Sequence, residues 1–201
     1  MKTSDYLEYF LNTMKVNKKI KKIAFIGMGL INSSLVRDLK TKNFYLSSAA
    51  YSRRKSTINK IKKLKLVNFA SSNIEKVIDG ADIIIVGIPV AAYEPVFKKI
   101  YNNIKQGSII TDVGSVKKEV ISSVKKYIPT NVDFIPGHPI AGTENSGPES
   151  GFSGLFKNGW CILTPNKNTS QNSVKVVKGM WELVGMRVDI MDSRYHDEVL
   201  A

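Results

Sequence analysis

Three short stretches hold the residue types that could do chemistry. "GHPIAGTENSG" (residues 137–147) carries His138, one of only two histidines in the 201-residue chain. An imidazole gains and loses a proton near neutral pH, so a histidine in a polar, glycine-rich loop suits acid–base work. Its duller role would be to cap a turn ahead of Pro139. "DVGSVK" (residues 112–117) carries Asp112, Ser115 and Lys117. Here the serine could simply cap a helix starting at Val116. "IAFIGMGLINSSL" (residues 23–35) puts Gly27 and Gly29 at the first two places of a G-x-G-x-x-G turn, with Asn32 at the third. In such a turn the first glycine makes the bend and the second lets backbone approach a pyrophosphate. The third lets helix and strand pack closely. The amides around Leu30 and Ile31 would then face phosphate from a helix N-terminus. Asn32 is expected to spread helix and strand, or to turn its side chain into the site, so Asn32→Gly should tighten dinucleotide binding.

A second strand is expected to end at Tyr51, where dinucleotide sites often place a carboxylate on the ribose. No Asp or Glu occurs in residues 39–74; the chain has "YSRRKS" instead. Ser52 with Arg53 and Arg54 suits a 2′-phosphate, because guanidinium forks bind phosphate bidentately. NADP is therefore favoured over NAD as the NAD(P) cofactor. The competing reading is that these arginines only open the next helix in solvent.

These residues need elements to position them. From Lys21 onward, β-rich runs alternate with segments of helical period, which predicts a parallel sheet with crossover helices. The expected strands are "KIAFIG", "YLSSAAY", "VNFA", "DIIIVGI", "GSIITDV", "VDFIPG", "WCILTP" and "MRVDIM". Helical stripes run through Tyr93, Phe97, Ile100 and Ile104, through Val116, Val120, Val124 and Tyr127, and through Val177, Met180, Trp181 and Val184. Trp160 and Trp181 are assigned to the core. The serine and histidine segments both fall at carboxyl ends of strands, the side on which doubly wound sheets bind ligands. Residues 137–156 are too long for an ordinary turn, and such loops usually have a function. The fold class is α/β, a Rossmann-like doubly wound and mostly parallel sheet. Residues 1–20 are an expected extension, 21–191 the dinucleotide-binding domain, and 192–201 the first turns of a further helical domain, capped by Asp192 or Ser193.

With 43% hydrophobic and 23% charged residues, the chain reads as an ordinary globular protein and not as a disordered one. The formal charge is +13, but the lysines are scattered in pairs such as Lys62-Lys63, without an aromatic-and-arginine stripe, so nucleic acid is not an expected partner. The field would still draw in anionic ligands. "IIIVGIPVAAY", the longest apolar run, is too short to span a bilayer, so no membrane association is expected. A single cysteine, Cys161, excludes a disulfide within the chain and reads as a small buried hydrophobe; the expected location is cytoplasmic. No metal site is expected. His196, in "RYHDEV", is assigned to the surface or a hinge.

"GMGLINSSL", "DVGSVK", "GHPIAGTENSG" and "LFKNGWCILTP", in that order, resemble the prephenate/arogenate dehydrogenases of tyrosine biosynthesis, from about Lys21 to the last residue. The resemblance implies oxidative decarboxylation of prephenate or arogenate, with hydride passing to NAD(P)+ while loss of CO2 makes the ring aromatic. It implies His138 as acceptor of the substrate's hydroxyl proton, Ser115 assisting at the same oxygen, and Thr143 and Glu144 at the substrate. Asp112 and Lys117 would shape their loop, with Asp112 touching the cofactor. In that family a C-terminal helical dimerisation domain completes the pocket, and these 201 residues are expected to stop before it. The resemblance therefore implies a homodimer for a full-length form, and binding of dinucleotide with little or no turnover by these 201 residues alone. Prephenate and arogenate are left undecided. The rival readings are another Rossmann dehydrogenase of the β-hydroxyacid or pyrroline carboxylate reductase type, and a dinucleotide-binding fragment without catalysis.

Overall fold

The computed structural model describes residues 20–200, so the expected N-terminal extension lies outside the described residues except for Ile20. Six parallel strands form the central sheet: β1 (Lys22–Ile26), β2 (Ser47–Tyr51), β3 (Phe69–Ser71), β4 (Ile83–Val86), β5 (Ile109–Asp112) and β6 (Asp133–Ile135). Their spatial order is β3-β2-β1-β4-β5-β6. The chain winds outward from β1 in one direction, then returns to β4 and winds in the other. The connecting and flanking helices are α1 (Leu30–Thr41), α2 (Lys55–Lys63), α3 (Ile74–Ile78), α4 (Tyr93–Ile100), α5 (Lys118–Val124), α6 (Gln171–Leu183) and α7 (Ser193–Leu200).

Alternation within the central strands explains the layering. Ile23, Phe25, Ile83 and Ile85 share one core with Leu35 and Leu39 of α1 and with Val177, Met180 and Trp181 of α6. Ala24, Ile26, Ile84 and Val86 face the opposite core, with Val77, Tyr93, Phe97, Val120 and Val124. A strand that is apolar on both faces can only sit between two helical layers. Full burial of each isoleucine contributes about 1.5–3 kcal/mol, so β4, with three in succession, anchors the sheet centre.

The single sheet expected from sequence divides in two. β7 (Gly137–Ile140) leaves the central sheet, pairs antiparallel with β8 (Trp160–Leu163), and β9 (Arg187–Ile190) adds parallel to β8. Pro136 causes the break. The β5–β6 ladder ends at Thr111 opposite Ile135, and the next residue has no N–H to continue it. Trp160, assigned to the core, is 45% exposed on this second sheet; it packs under the Arg187 guanidinium, 5.5 Å from the ring centroid. Two helical stripes are also shorter than expected, since Ile104 follows a 3-10 turn and Val116 precedes α5. Among the described residues no helix is long and apolar enough to cross a membrane.

Candidate functional site

The direction of winding reverses between β1 and β4, and a cleft of about 500 Å³ opens there, lined by Gly27, Gly29, Ser52, Arg53, Arg54 and Pro148 among others. Gly27 has φ +85°, and a Cβ on it would lie 2.2 Å from the Gly87 carbonyl oxygen, so only glycine lets β1 turn against the end of β4. A Cβ on Gly29 would meet nothing within 4 Å, which leaves the space before the turn open to a ligand. The first backbone bond of α1 runs from the Ser33 N–H to the Gly29 carbonyl, 3.0 Å. The amides of Leu30 and Ile31 thus begin a helix with no acidic residue in its first turn, as an anion site requires.

Asn32 does not spread the turn. It is 1% exposed, and its Nδ2 donates to the Gly27 carbonyl at 2.8 Å while the amide packs against Gly87. Its side chain therefore locks the bend that glycine would leave free. Asn32→Gly is expected to weaken dinucleotide binding roughly 3- to 10-fold, the value of one hydrogen bond. Calorimetric titration checks this, and tighter binding would restore the steric reading.

Beyond β7 the polar loop runs as a strap along α1. Ser34 Oγ accepts from the Phe152 N–H at 3.1 Å, and the Asp38 carboxylate accepts from the Gly154 N–H at 3.1 Å. Gly151 lies so close to Ser33 that a Cβ would approach Ser33 Oγ to 2.2 Å. Glu149 pairs with Lys60, and the adjacent Pro148 closes the cleft wall. Thr143 and Glu144 lie on the exposed start of this strap, with the Thr143 hydroxyl accepting from the Asn145 N–H.

A buried ion pair joins the two sheets at the end of β5. Asp112 and Lys117 have fully buried side chains, with Lys117 Nζ 2.6 Å from Asp112 Oδ2 and 2.6 Å from the Gly137 carbonyl. Asp112 also accepts from the N–H groups of Gly137 and Gly114, and the Tyr93 hydroxyl lies 3.3 Å from it. The expected cofactor contact of Asp112 is corrected by this geometry: its oxygens are occupied, and it faces the interior. Asp112 holds the Gly137 N–H and Lys117 the Gly137 carbonyl, so the pair together fixes the backbone next to His138. Burial, and then the Asp112 charge, hold the Tyr93 hydroxyl well above its ordinary pKa.

His138 is half-buried. Burial first, then the neighbouring His196 and Lys117, lower its pKa to about 4, against a smaller opposing effect of Asp197. Sequence reasoning expected a near-neutral base; the folded ring is neutral well into the acid range. His196, assigned to a surface or hinge, is fully buried, and its Nε2 lies 2.9 Å from His138 Nδ1. Its Nδ1 lies 2.7 Å from Asp197 Oδ1. Asp197 also accepts from the backbone N–H groups of Lys117 and Lys118, 2.8 Å each, and so caps α5 from a distance. Ser115 is not that cap, because the helix starts at Lys118; it stands exposed in the loop before it. Burial tends to raise the Asp197 carboxyl, but the Lys118 amide, the His196 ring and the Lys117 amide outweigh it and hold it below its ordinary value. The expected Asp192 cap of α7 does form, accepting from the Arg194 N–H at 2.8 Å.

The structure thus brings Gly27, Gly29, Ser52, Arg53 and Arg54 together in one cleft. His138 and Ser115 stand apart from that lining, at the next strand ends along the same carboxyl edge. Arg54 is the N-cap residue of α2, as the helix-opening reading expects, and it lines the cleft beside Arg53.

Residues 35–190 match the profile of the family described as prephenate dehydrogenase, nucleotide-binding domain. The chain belongs to that family. Its prephenate dehydrogenase nucleotide-binding domain is similar to the cyclohexadienyl dehydrogenase of Zymomonas mobilis, 34% identical over 90% of this chain and 61% of that enzyme. Among solved structures it is similar to the prephenate dehydrogenase of A. aeolicus in complex with hydroxyphenyl propionate and NAD+, with a TM-score of 0.83 and 28% identity over 91% of this chain and 64% of that one. The Synechocystis arogenate dehydrogenase gives a TM-score of 0.80 and 29% identity, covering 88% of this chain and 62% of that one. The chain therefore spans about three fifths of the length of these relatives.

Proposed function

We propose that this domain serves the NAD(P)+-dependent oxidative decarboxylation of prephenate or arogenate. The observation that carries the reading is that one carboxyl edge holds both the glycine cradle, at β1 and β4, and His138, fixed by the Asp112–Lys117 clamp at β5. The cradle fits a dinucleotide: the Gly27 bend, the open face of Gly29 and the first amides of α1 would hold the pyrophosphate. Bound there, the dinucleotide supplies the hydride acceptor. Neutral His138 accepts the ring hydroxyl proton as the carbinol carbon is oxidised, with Ser115 at the same oxygen. Breaking the carboxylate bond sends its electron pair into the ring, and the new phenolate oxygen takes the proton back from His138. Thr143 and Glu144 contribute substrate contacts from the strap. The same reading includes a helical region continuing from residues 192–201 and a homodimer for the full-length form, both on the resemblance alone, and a cytoplasmic location supported by the single, buried Cys161.

NADP+ is the preferred cofactor in this reading, supported by Ser52, Arg53 and Arg54 on the cleft wall and by the absence of acidic residues from 39 to 74. Titration of the chain with each dinucleotide is expected to give roughly tenfold tighter binding of NADP+, the worth of one charge-assisted phosphate contact, and Arg53→Ala with Arg54→Ala should erase the difference. Tighter binding of NAD+ would overturn the preference. The function itself is tested in the full-length form, by prephenate-dependent or arogenate-dependent reduction of the bound dinucleotide with release of CO2.

A further inference from the structure

The buried pair His196–Asp197 has a direction. A carboxylate only accepts hydrogen bonds, so the Asp197 oxygen 2.7 Å from His196 Nδ1 requires a proton on that nitrogen. In a neutral ring the other nitrogen, Nε2, is then a lone pair, and it lies 2.9 Å from His138 Nδ1. That contact is a hydrogen bond only if His138 carries its proton on Nδ1. We propose that Asp197 and His196 act in series as positioning residues that fix the tautomer of His138, leaving its Nε2 as the proton acceptor. The inference rests on the reading of His138 as the base.

The surroundings favour this order of protons over its reverse. The reverse would place a second proton on His196, making a cation that donates to His138. Lys117, buried between Asp112 and Gly137, already supplies one positive charge next to the pair, and it bears on His138 along with burial and His196. Asp197 is the acceptor facing His196 from α7, Asp112 is committed to Lys117 on the β5 side, and the Cys161 thiol on β8 is held protonated by burial. Asp197 is itself fixed by the two amides at the start of α5. The relay is therefore anchored at its far end by a helix N-terminus, where an anion is favoured. The ring centroids lie 5.1 Å apart with 67° between the planes, so the 2.9 Å nitrogen-to-nitrogen contact is where the two rings approach each other.

Long-range ¹H–¹⁵N correlation spectra of the chain read both tautomers directly, because it contains two histidines. Both rings are expected as Nδ1–H. His196→Leu should return His138 to the Nε2–H form that imidazole prefers in water and, in the full-length form, lower kcat roughly 10- to 100-fold, as loss of an outer partner does at oriented histidines. Dinucleotide affinity should not change. His196→Gln, which can keep an acceptor near the Nε2 position, should restore the Nδ1–H form and most of the rate. An Nε2–H His138 in the unmodified chain, or a tautomer indifferent to His196→Leu, overturns the relay. If His196→Leu does not fold, the unmodified spectrum and His196→Gln decide. His138→Asn tests the base separately, so an inverted tautomer alongside a large loss in His138→Asn would remove the relay alone.

Discussion

In the full-length form, His138→Asn is expected to lower kcat with prephenate or arogenate roughly 10²- to 10⁴-fold, the usual range for a general base, while dinucleotide affinity stays within about threefold. The two readouts separate because His138 stands outside the cleft lining, whereas the cradle is made by Gly27, Gly29 and α1. The pH dependence follows from the same residue. Its folded pKa is about 4, lowered from 6.5 first by burial and then by His196 and Lys117. The neutral, proton-accepting ring therefore persists through the mildly acidic range, and the acid limb of kcat/KM that belongs to this group should fall near pH 4. Stability moves in the same sense. Between 6.5 and about 4 the unfolded chain binds the proton that the folded ring refuses, so this group's contribution is complete above 6.5 and is lost as the pH falls through that window. An acid limb at 6.5 would show that the folded environment does not act on the ring. Denaturant titrations at several pH values check the stability arm.

The second large effect belongs to Lys117. Lys117→Met removes the cation from a fully buried pair and leaves Asp112 charged among three hydrogen bonds meant for a compensated carboxylate. Breaking a buried pair on one side costs about 3–5 kcal/mol. For a domain of this size each kcal/mol is worth roughly 2–4 °C, so the melting temperature should fall by about 6–20 °C. Activity should fall further than the unfolded fraction explains, because the Gly137 carbonyl loses its donor and the start of β7 is freed next to His138. A melting temperature unchanged within 2 °C, read by calorimetry, would contradict the clamp. Replacing both partners, Asp112→Asn with Lys117→Met, should recover part of the stability and little of the rate.

How much of this was legible in the sequence depends on how local the cause is. The strand alternation, the Gly27 turn and the buried faces of α4 and α6 depend on residues within one or two turns of each other. The apolar period and the glycine spacing state them directly. The division into two sheets turns on one missing N–H at Pro136, which the run "VDFIPG" sets inside what looks like a continuing strand. For Asn32 the sequence allows either a spread turn or a side chain bent inward, and does not choose between them. The use of Asn32 depends on the carbonyl of Gly27 and on the space beside Gly87, 55 residues away in sequence. Ser115 is not the cap of α5 because the acceptor comes from Asp197, 80 residues distant from Lys117.

His196 is the most informative miss. It lies 58 residues from His138, so no spacing rule joins them. The usable signal was compositional: both histidines of the chain, one of them next to an aspartate and one turn beyond a helix cap at Asp192. Trp160 shows the opposite failure. A large aromatic in an apolar run reads as core, yet alternation along β8 turns it outward, where it meets Arg187 while Cys161 takes the interior.

The most direct test of the central claim is a crystal structure of this chain with NADP+ bound. The nicotinamide should extend from the Gly27–Gly29 cradle past the end of β4 and stop opposite Nε2 of His138, with space for one substrate ring between them and Ser115 beside it. A nicotinamide directed elsewhere, or a His138 ring facing away from it, would contradict the account.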